Sequence, residues 1–502
     1  MQFVKKNYGL FIVLILSFWA IKSFFIPGFF PIHDNTQIAR VFEMKKVLQS
    51  GVFPVRVVPD LGYGYGYPIF NFYAPLAYYI GASFMFLGFD ALVATKIMMA
   101  LGVVLAGILM YLLAREFFGE FGGIVSGLFY LYAPYHAVDI YVRGDVAEFW
   151  AYAFIPLMLL GFYKVFEDSR LKTQNSKIQF KIQKFGVVGA LGFAGVILSH
   201  NLTALMVTPF LIATCLIFII FSKKGIRISI SLQLFFYIFL GLILAAFYWI
   251  PAFVEMRYTN VLSQIGGGAN FRDHFVCLRQ LWDSPWGFGG STAGCIDGLS
   301  FKIGKLHILI SITAFILMFF IKKIRRSKDG AIIFFSFLGL LLSVFFTLEI
   351  SKPIWEAIPV MAFFQYPWRF LILASFFSSL LAGSLTILLR ECNIKPYLII
   401  FPLVFFLLFS NLKLFNPQTI LSKTAKDFTS EYALKWVASK TSDEYLPVNF
   451  KKPKDQNGVY KGQSSVRVQN TPVEKISNAV SFVGLLALVL GIILLRDKVK
   501  YE

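Results

Sequence analysis

Charged residues are scarce in this chain of 502 residues. Only 15% of the residues are Asp, Glu, Lys or Arg, whereas 57% are hydrophobic and the mean hydropathy is +0.69. A soluble domain of this size would need far more polar residues on its surface. Runs of about 17–25 apolar residues recur along the whole chain, which is typical of transmembrane helices. The composition therefore predicts an all-α, polytopic membrane protein.

Acidic residues are also few, with 27 Asp and Glu against 47 Lys and Arg and a net charge of +20. Cytoplasmic loops that obey the positive-inside rule explain such an excess in a membrane protein. A basic funnel for an anionic lipid would explain it as well. Nucleic acid is a poor third explanation, because no soluble basic domain is present to hold it.

Cysteine is rare too, and the familiar enzyme motifs are missing. The four cysteines have no metal-ligand spacing. Cys277 and Cys295 share one predicted outer loop, where an oxidising compartment would favour a disulfide, although two free thiols fit equally well. The sequence shows no Walker motif, no HExxH and no recognisable Ser-His-Asp set. Any chemistry must therefore come from residues scattered along the chain.

The first outer loop, residues 27–90, is the most polar and glycine-rich part of the first third of the chain. It follows a first span at 8–26, which we expect to stay uncleaved because no small-residue cleavage site follows it. After Asp34, apolar residues at helical spacing predict a short amphipathic helix that lies on the membrane and ends at Ser50-Gly51. The apolar segment 74–89 is short, and we expect it to stay on the outer surface.

Charge parity decides that placement. If 74–89 does not cross the membrane, every basic loop falls inside, including 164–184 and the terminal Lys5, Lys6 and 496–500. About 12 crossings then result, with both termini cytoplasmic, in the plasma membrane. The predicted domains are a transmembrane domain at 1–412 with a second large outer loop at 252–303, a small extracytoplasmic module at 413–476, and a C-terminal helix with a basic tail at 477–502. The further spans are 91–114, 119–138, 147–166, 184–200, 202–222, 229–251, 304–322, 331–349, 367–389, 396–412 and 477–495.

His33-Asp34 is the first candidate site. A helix N-terminus stabilises a carboxylate, so Asp34 is suited to accept a proton or to bind a cation. A plain helix cap is the alternative role for Asp34. Arg143, Asp145 and Glu148 follow at the entrance of a later span. One interpretation is a functional site, with the acidic residues facing Asp34 and Arg143 binding a phosphate or a carboxylate. The alternative is that the acidic residues only stabilise the first turn of a helix through its dipole.

Three weaker signals fall on the same predicted outer side. His200-Asn201 lies between two apolar runs, as a polar pair facing a cavity or as a simple turn. Arg369 breaks the positive-inside bias, which indicates either an anionic partner or snorkelling. Trp282 and Trp286 alternate with glycines in the second loop, where aromatic faces suit sugar rings but interfacial belts are also common.

The order of these parts resembles the GT-C superfamily of membrane glycosyltransferases, which includes protein O-mannosyltransferases, aminoarabinose transferases and oligosaccharyltransferases. The similar features are an Asp after the first span, a surface helix with an aromatic and proline stretch, and a later outer acidic motif. The segments HDNTQIARVFEMKKVLQSGVFPVR, GYGYPIFNFYAPLAYY, YVRGDVAE, LSHNL and QYPWRF look more closely like bacterial multi-pass proteins labelled 6-pyruvoyl-tetrahydropterin synthase-related. The zinc-binding histidine cluster of the soluble pterin synthase is missing here.

The resemblance implies a GT-C-like bundle of about 12 helices that transfers a sugar from a polyprenyl-phosphate donor to an extracytoplasmic acceptor. Asp34 would be the general base. The remaining alternatives are a lipid-linked glycan flippase or other transporter, and a non-catalytic envelope assembly protein. A divalent metal ion, if one is used, would lie on Asp34, Asp145 and Glu148. The expected catalytic residues are Asp34, His33, Glu148 and Asp145, and the expected substrate-binding residues are Arg56, Tyr65, Tyr67, Asn71, Tyr73, Arg143, His200, Asn201, Trp282, Trp286 and Arg369.

Overall fold

The computed structural model describes residues 7–171, 183–462 and 470–499. Across these residues the protein is helical, and only isolated β-bridges occur, such as Phe29 with Leu421 and Val58 with Tyr67. Lys5, Lys6 and the basic residues of 172–182 lie outside the described part. The helices are α1 Tyr8–Ile21, α2 Gln37–Gln49, α3 Ile69–Phe72, α4 Leu76–Phe86, α5 Ala91–Leu131, α6 Pro134–Val138, α7 Val146–Leu171, α8 Lys184–Ser199, α9 Asn201–Ile220, α10 Arg227–Leu244, α11 Ala246–Glu255, α12 Leu278–Trp282, α13 Lys305–Phe320, α14 Lys322–Arg325, α15 Lys328–Thr347, α16 Lys352–Ala357, α17 Leu371–Glu391, α18 Tyr397–Asn411, α19 Lys426–Thr429, α20 Ser439–Thr441 and α21 Pro472–Val499.

Membrane spans dominate the chain, as the composition predicts. Within the described ranges, nine helices are long and apolar enough to cross a membrane, and α4, α8 and α13 are shorter apolar helices. The all-α polytopic prediction is therefore confirmed, whereas the count of 12 crossings stays a prediction. The predicted pair 91–114 and 119–138 corresponds to the two halves of α5, which meet at a kink at Gly119, where φ is 73° and the backbone is not helical.

The first loop contains two short helices, as the sequence predicts. Helix α2 has 13 residues and ends near Gly51, whose φ of 82° suits the end of a helix. Helix α4 has 11 residues. At 1.5 Å per residue, neither helix can reach across a hydrocarbon core of about 30 Å. This agrees with the expectation that residues 74–89 do not cross the membrane.

The described contacts divide the chain into two compact units. The first unit comprises Met1–Val41, Ser83–Phe149 and Leu262–Ser430, and the second comprises Phe42–Ala82, Trp150–Val261 and Glu431–Glu502. The predicted module at 413–476 contributes residues to both units. The division into a transmembrane domain, a small module and a C-terminal helix therefore stays a prediction.

Helix α17 is the core of the first unit. It packs against α5, α13 and α15, and α5 also packs against α1. Small residues permit the close approach: a Cβ on Gly383 would lie 2.6 Å from the carbonyl oxygen of Gly122. Membrane helices commonly pack through such small residues, since backbone contact replaces the hydrophobic effect as a driving force.

The C-terminal end of α5 positions the segment that carries the candidate site. Side chains satisfy its last carbonyl groups, which have no partners within the helix. His307 Nε2 donates to the carbonyl of Phe129 at 2.9 Å, and His136 Nδ1 donates to that of Leu131 at 2.9 Å. These bonds fix the buried chain that continues into a π-helical turn at Asp139–Arg143.

The second unit contains two tight helix pairs, α8 with α10 and α11 with α21. Helix α21 begins with a capping box. Thr471 Oγ1 accepts the N–H of Glu474 at 3.2 Å, and Glu474 Oε2 accepts the N–H of Thr471 at 2.9 Å. Pro472 occupies the first helical position, where its missing N–H costs nothing.

Candidate functional site

The backbone of the first loop lies directly beside the turn that follows Asp139. The N–H groups of His33 and Asp34 donate to the carbonyls of Val142 and Arg143, each at 3.0 Å. Gly144 makes this approach possible. Its φ is 62°, and a Cβ there would lie 2.4 Å from Ile32 Cδ1. Two segments more than a hundred residues apart therefore present Asp34 and Arg143 next to each other.

Three side chains from the start of α2 hold the Asp34 carboxylate. Thr36 Oγ1 donates to Oδ1 at 2.7 Å, while Gln37 Nε2 and Arg40 NH1 donate to Oδ2 at 2.7 and 2.9 Å. Gln37 Nε2 also donates to the carbonyl of Gly144 at 2.8 Å. The same amide thus fixes Asp34 and the Arg143–Asp145 turn relative to each other.

Arg143 is the centre of a buried ionic cluster. Its NH2 lies 2.7 Å from Asp145 Oδ2 and its NH1 lies 2.9 Å from Glu148 Oε2. NH1 also donates to Asp139 Oδ1. Asp145 has a second role, because its Oδ1 accepts the N–H of Glu148 at 3.0 Å as the N-cap of α7. Asp145 is therefore a helix cap and an ion-pair partner of Arg143, and its functional role stays a prediction.

Arg369 supplies a second positive charge to the cluster. Its Nε lies 3.4 Å from Glu148 Oε2 and its NH2 lies 4.0 Å from Asp145 Oδ2. The side chain is buried, so the anionic partner expected from the sequence exists, and it is a pair of carboxylates. Burial first, and then the charge of Glu148, raise the pKa of Asp139 well above its usual range, while Arg143 opposes this shift. In this cluster the guanidinium groups of Arg143 and Arg369 face the carboxyl groups of Asp139, Asp145 and Glu148.

Asp34, Arg143 and Asp145 line a cavity of about 380 Å³, a size within the usual range of ligand pockets. Arg369 and Glu148 do not line it. Trp368 contributes an aromatic surface: the Arg143 guanidinium lies 4.6 Å from its ring centre and Tyr366 stacks on it at 4.9 Å. The remaining lining residues are His33, Gly268, His274, Gly290, Ser291 and Leu299.

The second outer loop forms the opposite wall through a chain of hydrogen bonds. Trp368 Nε1 donates to Ser291 Oγ at 3.1 Å, and Ser291 Oγ lies 2.8 Å from His274 Nδ1. His274 Nε2 donates to the carbonyl of Gly268 at 3.0 Å, so Nδ1 is the acceptor of the Ser291 proton in the neutral ring. A disulfide between Cys277 and Cys295, one of the two states that the sequence left open, closes this loop, and the two Cα atoms are 5.6 Å apart.

Two of the predicted pocket residues belong elsewhere in the first unit. Trp282 is 40% exposed, and its ring packs under Lys305 Nζ at 5.7 Å. Neither Trp282 nor Trp286 lines the cavity, whose aromatic wall is Tyr366 and Trp368. The expectation of a tryptophan sugar pocket in the loop is therefore corrected. The loop bends over the cavity through its glycines and presents His274 and Ser291 to it.

The other predicted binding residues lie in the second unit, where Arg56 and Asn71 form a buried cluster. Arg56 NH1 donates to Asn71 Oδ1 at 2.9 Å, and Asn71 Nδ2 donates to Glu255 Oε2 at 2.7 Å. Arg56 Nε lies 3.7 Å from Glu474 Oε1. With 1% of its surface exposed, Arg56 connects the first loop to α11 and α21, a structural role.

His200 and Asn201 form the turn between α8 and α9, as the simpler of the two sequence readings proposed. His200 is buried, with Nδ1 2.7 Å from Thr203 Oγ1, whereas Asn201 is exposed. The tyrosines of the first loop differ from one another in exposure. Tyr67 is buried with its hydroxyl 3.4 Å from Ser442 Oγ, Tyr73 is half-buried, and Tyr65 is exposed. A common cavity for these residues and Asp34 stays a prediction.

Residues 70–417 match the family described as 6-pyruvoyl-tetrahydropterin synthase related domain, a membrane protein. This match covers more than half of the chain. The chain belongs to this family. The matched range begins after Asp34, so the role of Asp34 depends on the geometry described above. No curated protein sequence matches this family member.

Solved structures with a similar fold include arabinofuranosyltransferase AftD from Mycobacteria. It has 13% identity and a TM-score of 0.50, over 83% of this chain and 27% of that protein. The Archaeoglobus fulgidus oligosaccharyltransferase has 13% identity and a TM-score of 0.46, over 96% and 64%. ArnT from Cupriavidus metallidurans, bound to undecaprenyl phosphate, has 11% identity and a TM-score of 0.34, over 75% and 77%.

The likeness to AftD shows the fold, and the chain has the polytopic GT-C fold. The chain described here covers only about a quarter of the length of AftD and under two thirds of the length of the oligosaccharyltransferase. Its activity, substrates and partners therefore do not follow from the likeness.

The carboxylates do not fit a divalent metal ion in this arrangement. Asp34 pairs with Arg40, and Asp145 and Glu148 pair with Arg143. A cation bound there would face guanidinium groups at close range. Within the described ranges, no group of three or more His, Cys, Asp or Glu side chains could hold a metal ion. The mechanism proposed below has no step through a metal.

Proposed function

We propose that the protein is a membrane glycosyltransferase that transfers a sugar from a polyprenyl-phosphate-linked donor to an extracytoplasmic acceptor. One observation carries the proposal: Asp34, a carboxylate, and Arg143, a guanidinium, line one cavity and are held together by paired backbone hydrogen bonds. The GT-C fold supports it, since AftD is by name an arabinofuranosyltransferase. In this proposal the protein lies in the plasma membrane. The positive-inside rule favours a cytoplasmic location for both termini.

In the proposed reaction, Asp34 accepts the proton of an acceptor hydroxyl as that oxygen attacks the anomeric carbon of the donor. The bond between the anomeric carbon and the phosphate oxygen breaks, and its electron pair leaves with the polyprenyl phosphate. Arg143 stabilises the charge that develops on this leaving group. Asp145 and Glu148 orient the guanidinium.

Arg369 has an indirect role in this scheme. Its guanidinium contacts Glu148 and Asp145. Arg369 thus neutralises part of the carboxylate charge that Arg143 alone would otherwise neutralise. Arg143 therefore keeps a partial positive charge toward the cavity. Of the three arginines expected to bind substrate, Arg143, Arg369 and Arg56, Arg143 is the one that lines the cavity beside Asp34.

The test is the substitution Asp34→Asn in the purified protein. Asn keeps the size of the side chain and an acceptor oxygen, but it cannot take a proton. Loss of a general base typically lowers the rate about 10²- to 10⁴-fold. The assay supplies radiolabelled polyprenyl-phosphate sugars and lipid-extracted membranes as acceptor source, and a thermal unfolding curve checks the fold of the variant.

A folded Asp34→Asn protein with normal turnover would sink the general-base assignment. A wild-type protein that moves a lipid-linked glycan across a vesicle membrane, and transfers no sugar, would favour the flippase alternative. Thr36→Val is the matched control, since it removes one hydrogen bond to Asp34 Oδ1 and leaves the base in place. Its rate should stay within about tenfold of wild type.

A further inference from the structure

The second unit presents an exposed aromatic surface built from the YGYGY stretch and residues 431–462. Tyr65 is 58% exposed and Tyr460 is 41% exposed. The ring of Tyr65 lies 5.7 Å from that of Phe450 and 5.4 Å from that of Tyr460. We call these three residues the aromatic platform.

A buried base holds the aromatic platform in place. Tyr63 lies beneath it, with its ring 6.2 Å from Phe450 and 5.9 Å from Trp436. The N–H of Tyr460 donates to the carbonyl of Tyr63 at 3.0 Å. Lys435, which is buried, donates to the carbonyl of Tyr460 at 3.1 Å. The platform is therefore a fixed surface and its rings are preorganised for contact.

The backbone at this point is unusual. Tyr63 has a φ of 61° between Gly62 and Gly64, whose φ values are 65° and 82°. A Cβ on Gly64 would lie 3.0 Å from Lys435 Cδ and 3.1 Å from the carbonyl oxygen of Tyr460. A tyrosine with positive φ is a strained conformation that persists only where its surroundings hold it. The glycines let the loop coil so that Tyr63 points inward and Tyr65 outward.

The segment that supplies Phe450 and Tyr460 to the aromatic platform carries a net positive charge. Residues 431–462 contain six lysines and four acidic residues. Two of the lysines are paired, Lys435 with Glu431 and Lys452 with Asp443, each at 2.6 Å. In the described part of the chain, no carboxylate pairs with the exposed Lys440, Lys451, Lys454 or Lys461. Lys451 and Lys461 directly follow Phe450 and Tyr460 in the chain.

We propose that the aromatic platform binds an acidic polysaccharide, as a segment of the acceptor of the proposed transferase reaction, so this inference rests on the proposed function. Tyrosine rings offer a rigid, amphipathic surface to the C–H face of a sugar ring. The unpaired lysines supply the complementary charge for carboxylate or phosphate groups along the glycan. An uncharged membrane surface would use the rings but not the lysines.

The experiment measures binding of a fluorescently labelled short oligogalacturonate to the full-length protein in nanodiscs of zwitterionic lipid. Labelled maltohexaose is the neutral comparison. We expect oligogalacturonate to bind more tightly, with an affinity that falls as salt rises. Tyr65→Ala and Tyr460→Ala should each weaken binding about two- to tenfold. Tyr65→Phe keeps the ring and should bind nearly as wild type.

The matched control combines Lys395→Gln with Tyr397→Ala. Tyr397 is 41% exposed, like Tyr460, and belongs to the first unit. The control should bind as wild type, whereas Lys451→Gln with Lys454→Gln should weaken binding and flatten its salt dependence. Equal binding of both sugars, or no effect of the tyrosine variants, would overturn the proposal. So would variants that lose binding only to anionic lipid vesicles.

Binding is measured without turnover, which separates this proposal from the proposed function. Asp34→Asn should leave oligogalacturonate binding unchanged. A protein that binds the oligosaccharide through the platform but transfers no sugar would refute the transferase reaction alone. A wild-type protein that transfers sugar but does not bind oligogalacturonate would refute the platform alone.

Discussion

Two buried arginines, Arg143 and Arg56, both lie among carboxylates, yet their surroundings differ. Arg143 has one face on a cavity of about 380 Å³ that Asp34 also lines. Arg56 is sealed, with 1% of its surface exposed, and its guanidinium donates to Asn71 and Asn478 side chains and to a backbone carbonyl. Burial and ion pairing are thus common to both, and open space next to the charge distinguishes a binding group from a structural one.

The largest effect should follow from Arg56→Met. Removal of one partner of a buried ion pair leaves Glu474 without its countercharge, which typically costs about 3–5 kcal/mol. We expect the free energy of unfolding to fall by about this amount, measured by chemical denaturation in detergent micelles. Sugar transfer per folded molecule should stay close to that of wild type.

Glu474→Gln together with Arg56→Met is the control for this explanation. The double variant removes both charges of the pair, so it should be more stable than Arg56→Met alone. A stable Arg56→Met protein with lost transfer would contradict the comparison, since it would place Arg56 among the binding groups.

The next largest effect should follow from Arg143→Lys. Lysine keeps the positive charge but not the planar fork that contacts Asp145 and Glu148 at once. We expect kcat/KM to fall about 10- to 100-fold, which corresponds to loss of one or two charged hydrogen bonds. The midpoint of thermal unfolding should change little. Arg56→Lys is the matched variant, and it should show the reverse pattern.

The helices of this protein could be predicted from sequence, whereas the contacts that end them could not. A lipid-exposed backbone must satisfy its own hydrogen bonds, so apolar runs become helices almost without exception. The sequence predicts separate spans at 91–114 and 119–138, and the kink at Gly119 divides α5 at that point. The second half of α5 ends at Leu131 and not at 138, because His307 and His136 satisfy the final carbonyl groups. Neither histidine contact follows any local pattern.

The candidate site could be predicted in part. Asp34, Arg143, Asp145 and Glu148 were selected because polar residues stand out in an apolar chain. Asp139 was missed, since it ends an apolar run, although its spacing of four residues before Arg143 was a usable signal for an ion pair. Ser291 was missed for another reason: its partner Trp368 is 77 residues away, and no sequence period connects them.

Substitution of Gln37 tests whether its hydrogen bonds to Asp34 and Gly144 hold Asp34 in position. The sequence did not predict these contacts. Gln37→Leu removes the donor to Asp34 Oδ2 and to the carbonyl of Gly144. We expect kcat to fall about tenfold, as for a lost hydrogen bond to a charged group, with KM nearly unchanged. A rise in KM alone would instead indicate that Gln37 contacts substrate.

Gln37→Glu gives a readout that a purely structural role would not change. A second carboxylate beside Asp34 favours the protonated form of both. The acidic limb of the pH–rate profile should therefore move to higher pH. An unchanged profile would show that Gln37 does not act through Asp34.

The smallest effect concerns Glu43, a buried carboxylate of the second unit that has no arginine beside it. Its Oε2 accepts the N–H of Asp60 at 3.0 Å. Burial first, and then the charge of Asp60, raise the pKa of Glu43 to about 8 from an ordinary value of 4.5. The folded protein therefore holds a proton at neutral pH that the unfolded chain releases.

The sign of the pH dependence follows from that difference. The contribution of Glu43 to stability is fully present below pH 4.5 and is lost as the pH rises to about 8. Between pH 7 and pH 8 this group should lower the free energy of unfolding by about 1 kcal/mol. Glu43→Gln mimics the protonated carboxyl and should remove that part of the slope. Equal slopes in the two proteins would show that Glu43 is ionised in the folded state. A nearby cation such as Lys46 would then stabilise its carboxylate, as Arg143 stabilises that of Glu148.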